Sequence, residues 1–332
     1  MNYIGSKLKL SEFLKKVICE VAGKDLSAKV FCDGFAGTGI VGRTFKPFVK
    51  QVISNDIEYY SFVLNRNYIG NCSEIANSQG LIKRLNAVPL EKDGFIFQNY
   101  CMGSGSERQY FSDYNGQKID SIRREIERLM NTNEINVNAY FFLLCSLLEC
   151  ADKLANTTSV YGAFLKNIKK TAQKELIIQP ANFEKTNQQN LVFQKDINQL
   201  IQQIDGDILY LDPPYNERQY GANYHLLNTI AEYKPFIPKG KTGMRNYERS
   251  KYCMRKKVAD ELNSLIATAK FKYIFLSYNN EGLLSLAEIR KIMERYGHYD
   301  LAQTNYQRYK ADANRFNKAD TTIEYLHILE KN

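Results

Sequence analysis

The 332-residue chain has no tryptophan, three histidines, and seven cysteines without a Cys-x-x-Cys pair. The histidines, at 225, 298 and 327, are too scattered to form a ligand cluster, so no metal site is expected. An odd, dispersed set of cysteines in a chain this long argues against the disulfide framework of small secreted domains and predicts reduced thiols. Cys145 and Cys150 lie in an apolar helical stretch and are expected in a core. No apolar run approaches 18 residues, so no membrane-spanning helix is expected. The opening residues lack the apolar centre of a signal peptide, and a cytoplasmic location follows as the expectation. Internal repeats and long low-complexity tracts are missing as well.

Hydrophobic residues make up 44% and charged residues 24%, enough for a globular protein with a sizeable core. The length suits one large α/β domain, alone or with a smaller insertion. The formal net charge is +9 and there are 23 tyrosines. A basic surplus attracts phosphates without conferring sequence recognition. It is concentrated at Lys239, Lys241, Arg245, Arg249, Lys251, Arg255, Lys256 and Lys257, with Tyr247 and Tyr252 among them. Cations interleaved with flat rings and little local acid suit a nucleic-acid backbone and unstacked bases. Arg245, Tyr247, Arg249, Lys251 and Tyr252 are the candidate DNA contacts; the alternative is a solvated loop leading into a helix.

Apolar spacing predicts a helix over Leu10 to Val21. A strand over Lys29 to Asp33 follows, then a glycine-rich turn and a helix from Val41. Next come a strand over Gln51 to Ser54 and a helix over Tyr60 to Tyr68. This order begins a doubly wound, mainly parallel sheet. From about 70 to 190 the alternation stops. Helices are expected at Ile119 to Met130 and Val137 to Leu148, among polar loops. Strands return at Leu191 to Phe193, Ile208 to Leu211 and Tyr273 to Leu276, with a helix at Leu283 to Tyr296. Runs at Leu301 to Tyr309 and Thr321 to Leu329 are expected to pair as a hairpin. Residues 1–70 and 190–332 therefore read as one α/β domain, and 71–189 as an inserted, mainly helical subdomain.

The segment from Asp33 to Gly39, Asp-Gly-Phe-Ala-Gly-Thr-Gly, places close-packed glycines at the end of the first strand, where the crevice of an open sheet binds ligands. Asp56 ends the next strand, where a carboxylate can accept from both hydroxyls of a ribose. Gly37-x-Gly39-x-x-Gly42 also satisfies the dinucleotide fingerprint, so a nicotinamide enzyme is an alternative at this point. Asp33 speaks against it, because a carboxylate there repels a pyrophosphate at the helix N-terminus. It suits the cationic end of S-adenosylmethionine.

The apolar run Ile208 to Leu211 leads into Asp212-Pro213-Pro214-Tyr215. Two prolines fix φ and lack N–H groups, so the chain leaves the sheet stiff and extended with its carbonyls free to accept. An amino group donates two hydrogen bonds, which the Asp212 carboxylate and the Pro213 carbonyl would match. Drawing those hydrogens aside would aim the nitrogen lone pair at a methyl group, while Tyr215 stacks on a base held outside the duplex. Alignment and electrostatics suffice for such a transfer, with no covalent intermediate. The bland alternative is a strand-ending turn.

These residues together resemble the adenine-specific DNA methyltransferases of the alpha arrangement, which include Dam enzymes and restriction-modification methylases. Tyr3-Ile4-Gly5-Ser6-Lys7 is similar to the family's opening element, and residues 33–39 and 212–215 to its glycine loop and catalytic tetrapeptide. The resemblance covers roughly 1–70 and 190–330. It implies a class I, Rossmann-like S-adenosylmethionine-dependent fold with a target-recognition insertion. Its cofactor residues would be Tyr3, Gly5, Ser6, Lys7, Asp33, Phe35, Gly37, Gly39, Asp56, Ile57 and Asp212, with Asp196 and Ile197 at the cofactor's adenine. Asp212, Pro213, Pro214 and Tyr215 would be catalytic, and Asp rather than Asn or Ser at 212 points to adenine in DNA. Residues 220, 224–231 and 276–279 look similar to type IIS modification methylases. The resemblance further implies double-stranded DNA as substrate, a monomer, and a cognate restriction endonuclease or second methylase acting on the same site. The alternatives are adenine methylation in RNA and a DNA-binding regulatory module with a vestigial site.

Overall fold

A computed structural model describes residues 7–307 and 321–332, which form two compact units. The larger comprises residues up to Asn65, Thr186–Gln219 and Arg249–Asn332. Its centre is a seven-stranded sheet made of β1 (Val30–Asp33), β2 (Gln51–Asn55), β3 (Leu191–Phe193), β4 (Asp205–Leu211), β5 (Lys270–Asn279), β6 (Gly297–Gln307) and β7 (Thr321–Lys331). The order is β3-β2-β1-β4-β5-β7-β6. The first five are parallel, and β7 runs antiparallel between β5 and β6. The chain thus winds outward from β1 on one side and resumes at β4 on the other, so the switch point of the sheet lies between β1 and β4.

The apolar runs explain the strands. Leu209, Leu211, Cys32, Ile53, Ile274 and Leu276 point to one face and pack with Leu262, Leu265 and Ile266 of the helix Val258–Thr268 and Ile289 and Met293 of the helix Leu286–Met293. Side chains alternate across a strand, so Phe31 faces the other way; its ring stacks on Phe45 at 4.4 Å. Parallel strands covered on both faces read as continuous apolar runs, which is why β4 and β5 were visible in the sequence.

The smaller unit holds Arg66–Lys185 and Tyr220–Glu248. Its long helices, Asp113–Asn131 and Val137–Leu154, start at Ser112 and Asn136, whose side chains accept from Asn115 N–H and Ala139 N–H. Cys145 and Cys150 are buried there, and all seven cysteines are free. The helical insertion was expected to end near 189, with 190–332 wholly in the α/β part; instead Tyr220–Glu248 joins the helical unit. Tyr161 N–H donates to Asn223 at 2.7 Å, the Tyr100 hydroxyl to Gly243 at 2.8 Å, and the Arg123 guanidinium to Ala231 at 3.1 Å. These bonds link residues more than 60 positions apart, beyond the reach of any local pattern. The hairpin expected from the two late runs is observed as β6 with β7, though the end of its first run, to Tyr309, lies outside the described residues.

Leu209 is fully buried at the centre of the sheet. Leu209→Ala should therefore cost about 2–5 kcal/mol, measured as a lowered denaturant midpoint with unchanged slope.

Candidate active site

The two loops singled out in the sequence leave adjacent strands side by side. Asp33 at the end of β1 is in register with Tyr210 of β4, and Gly34 N–H donates to Tyr210 at 3.0 Å. Gly39 has φ +74°, and a Cβ there would lie 2.5 Å from Asn65 Oδ1. Both the conformation and the space exclude a side chain. Asn65 braces the turn from below, donating to the Gly37 carbonyl at 3.1 Å while accepting from Ser54 Oγ at 2.7 Å.

Asp33 is buried. Its Oδ2 accepts from Gly42 N–H at 3.2 Å, whereas Oδ1 has no hydrogen-bond partner among the described residues. Burial first, then the neighbouring Asp212 charge, push its pKa up to about 8. A buried carboxylate with one unpartnered oxygen is costly in the bare protein and is an acceptor waiting for a donor. Asp56 is half-buried; its Oδ2 accepts from Gly37 N–H at 2.7 Å and its Oδ1 from Glu58 N–H at 2.9 Å. Burial raises its pKa as well. Those two bonds fix the carboxylate against the glycine loop. Ile57 beside it is exposed, as a rim residue should be.

The other expected cofactor residues divide. Asp196 follows β3, but its Oδ1 caps the short helix Ile197–Leu200 by accepting from Asn198 N–H at 2.9 Å and Gln199 N–H at 3.3 Å. Ile197 is a core residue, against which a Cβ on Gly34 would press at 3.2 Å. Phe35 is half-buried with the Tyr252 ring set edge-on at 5.0 Å. Tyr3, Gly5 and Ser6 lie outside the described residues. Lys7 is buried, and its ammonium is taken by Asp212 Oδ1 at 2.8 Å and by Glu324 Oε1 at 3.1 Å.

That ion pair dominates the second loop. Asp212 is the least buried member, with 19% of its side chain exposed. Its pKa is pushed up to about 6, with burial the largest cause, Lys7 opposing it and Glu324 adding to it. Lys7 engages Oδ1 and leaves Oδ2 as the remaining acceptor. Both prolines are trans, and the Tyr215 carbonyl accepts from Leu283 N–H at 2.8 Å. The Tyr215 ring meets Tyr278 edge-on at 6.5 Å. Below, the Tyr210 hydroxyl donates to Ser277 Oγ at 2.8 Å inside the sheet.

The basic stretch is not the continuous patch the sequence suggested. Tyr247 and Arg245 belong to the smaller unit; Arg249, Lys251 and Tyr252 belong to the larger. Tyr252, expected to face bases, is only 3% exposed, and its hydroxyl bonds Asn198 Oδ1 at 2.7 Å; it is core. The absence of local acid does not hold in space either. Arg245 pairs with Glu232 at 2.7 Å, Lys251 with Glu261 at 2.8 Å, and Arg255 with Glu288 at 2.9 Å. Arg249 is exposed and Tyr247 half-buried.

Glu324 and Asn65 were not anticipated. Glu324 had a faint signal, since it occupies the buried phase of the alternation Thr322, Glu324, Leu326, Ile328 on β7. Asn65 had none, because its partners lie across a turn.

Comparison with known proteins identifies the chain's family. Over its whole length the chain is 63% identical to Type II methyltransferase M.NlaIII of Neisseria lactamica, covering 99% of that protein. It is 35% identical to Type II methyltransferase M.CviAII of Paramecium bursaria Chlorella virus 1, with 94% of this chain and 93% of that one aligned. It is also 38% identical to Type II methyltransferase M.FokI of Planomicrobium okeanokoites, of which it spans 53%. Residues 3–292 match a single family, and the chain belongs to it: the D12 class of N6 adenine-specific DNA methyltransferases.

Proposed function

We propose that Asp212, Pro213, Pro214 and Tyr215 form the corner at which a flipped adenine is methylated, and that the crevice between β1 and β4 holds the donor, S-adenosylmethionine. The observation that carries this reading is the convergence of Asp33, Asp56 and Asp212 at the carboxyl ends of adjacent strands. The residues present suit the donor. Asp33 offers an unpartnered buried oxygen to its cationic amino end, Gly37 and Gly39 allow close approach of the backbone, and Asp56 offers acceptor capacity to ribose hydroxyls. Ile57 and the free edge of Asp196 would flank the donor's adenine.

When bound, S-adenosylmethionine supplies an electrophilic methyl group on a sulfonium. The chain does the rest by alignment and field. Asp212 Oδ2 and the Pro213 carbonyl accept from the adenine amino group, and Tyr215 covers the face of the base. The base must leave the duplex to reach them, because its amino group is otherwise occupied in pairing. Asp212 acts as an anion, so activity should follow its ionisation.

Methylation of adenine in DNA is here the modification half of a restriction-modification system. A cognate restriction endonuclease or a second methylase would act on the same site, with this chain working as a monomer. The helical unit, with Tyr220–Glu248 included, would carry target recognition. Arg249 is the best phosphate contact in the basic stretch, being exposed where Lys251 and Arg245 are paired with acids. Tyr247 and these paired cations would lie at the rim of the DNA path.

Three outcomes are expected. Asp212→Ala should abolish 6-methyladenine formation on mixed-sequence duplex DNA while the protein still binds S-adenosylmethionine by calorimetry; persistent methylation would refute the corner. Asp33→Asn should lose donor binding yet stabilise the bare protein. An unfolded aspartate ionises near pH 4, whereas Asp33 holds its proton up to about 8. The native state therefore loses stability as pH rises through that window. The gain in thermal midpoint on substitution should be absent at pH 4 and largest at pH 8 and above. Finally, Arg249→Ala should reduce the slope of log affinity against log salt by about 0.9, and an unchanged slope would place Arg249 off the DNA path.

A further inference from the structure

Glu324 shares with Asp212 the ammonium of Lys7. The Lys7–Asp212 pair would be electrically complete without it. Burying a second carboxylate beside a satisfied ion pair is unfavourable unless the extra charge has a use. The glutamate sits on β7 opposite Asn279 of β5, buried in the same phase as Thr322, Leu326 and Ile328. Its side chain is 7% exposed and its Oε1 is 3.1 Å from Lys7 Nζ. The ionisable groups facing this cluster are Lys7 from the opening segment, Asp33 from β1, Tyr210 and Asp212 from β4, and Glu324 itself. Lys7 Nζ lies 2.8 Å from Asp212 and 3.1 Å from Glu324, so with both acids ionised the core of the cluster is two carboxylates on one ammonium, a net charge of −1.

We infer that Glu324 is a positioning residue for methyl transfer: by engaging one side of the Lys7 ammonium it prevents Lys7 from fully neutralising Asp212, so that Asp212 meets the adenine amino group with an uncompensated negative charge. This rests on the reading of Asp212 as the acceptor for that amino group. The chemistry makes the charge useful. As the bond from the adenine nitrogen to the methyl carbon forms and the carbon–sulfur bond breaks, the positive charge leaves sulfur and appears on that nitrogen, which then sheds a proton through Asp212 to water. A site with net charge −1 stabilises this nitrogen more than a neutral one does, and in a water-poor pocket the difference is large.

Glu324→Gln tests this, because it keeps the shape and an oxygen for Lys7 while removing the charge. In single-turnover methylation of mixed-sequence duplex DNA by the full chain, the rate should fall about tenfold or more, a one-unit-scale electrostatic effect. The KM for the methyl donor should stay unchanged. The acid limb of the rate against pH should move to lower pH, since Asp212 ionises more easily once a neighbouring negative charge is gone. Glu324→Asp, which retains the charge on a shorter stem, should recover part of the rate and leave the acid limb near the wild-type position. An unmoved acid limb in Glu324→Gln, or equal losses in the two variants, would show that Glu324 serves packing alone. A rise in donor KM with an unchanged rate would place it in donor binding and equally overturn the inference. Should Asp212→Ala remain active, the acceptor reading itself fails, which is a separate result from any outcome at Glu324.

Discussion

A buried ammonium held between two carboxylates is the interaction on which the site depends. Lys7 comes from the first described residue of the chain, Asp212 from the end of β4 and Glu324 from β7, so the contact ties three distant segments to one point. Breaking one partner of such a buried pair leaves an uncompensated charge and typically costs about 3–5 kcal/mol. The opening segment is thereby tied to the loop after β4 by electrostatics. Lys7, expected among the cofactor residues, is placed by the fold on Asp212, another member of that expected set.

Around that contact the protein gathers acids that it cannot easily ionise. Asp33 and Asp212 are both pushed upward by burial, and Asp212 adds to the rise at Asp33. Such a cluster is unfavourable in the bare fold and favourable once a cationic ligand and a hydrogen-bond-donating base are in place. Stability is lost where function is gained, which is common at sites built for charged ligands. The rigid sheet makes this tolerable: Asp33 and Asp212 stand at the ends of neighbouring, fully packed strands, and neither can turn away.

The helical unit follows a different logic. Its two long helices are capped by their own side chains, and Tyr220–Glu248 is recruited by side-chain donors on its carbonyls, among them Tyr100 and Arg123. The D12-class tetrapeptide at 212–215 is thus followed within a few residues by chain that belongs to the helical unit.

Much of this was legible in one dimension. Strands covered on both faces must be continuous apolar runs, so β1, β2, β4 and β5 declared themselves. A tight turn with positive φ favours glycine, so Gly37 and Gly39 marked the turn after β1. Two prolines stiffen a strand exit, so Asp212-Pro213-Pro214-Tyr215 marked the corner after β4. Each of these is a local backbone requirement, and local requirements are written in consecutive residues. What only the tertiary structure decided is which distant groups meet. Tyr252 looked like a stacking ring but is core, Lys251 and Arg245 looked unopposed but face Glu261 and Glu232, and Glu324 looked like one strand residue among many but shares the ammonium of Lys7. Charge pairing and burial depend on separation in space, and chain order does not contain that distance.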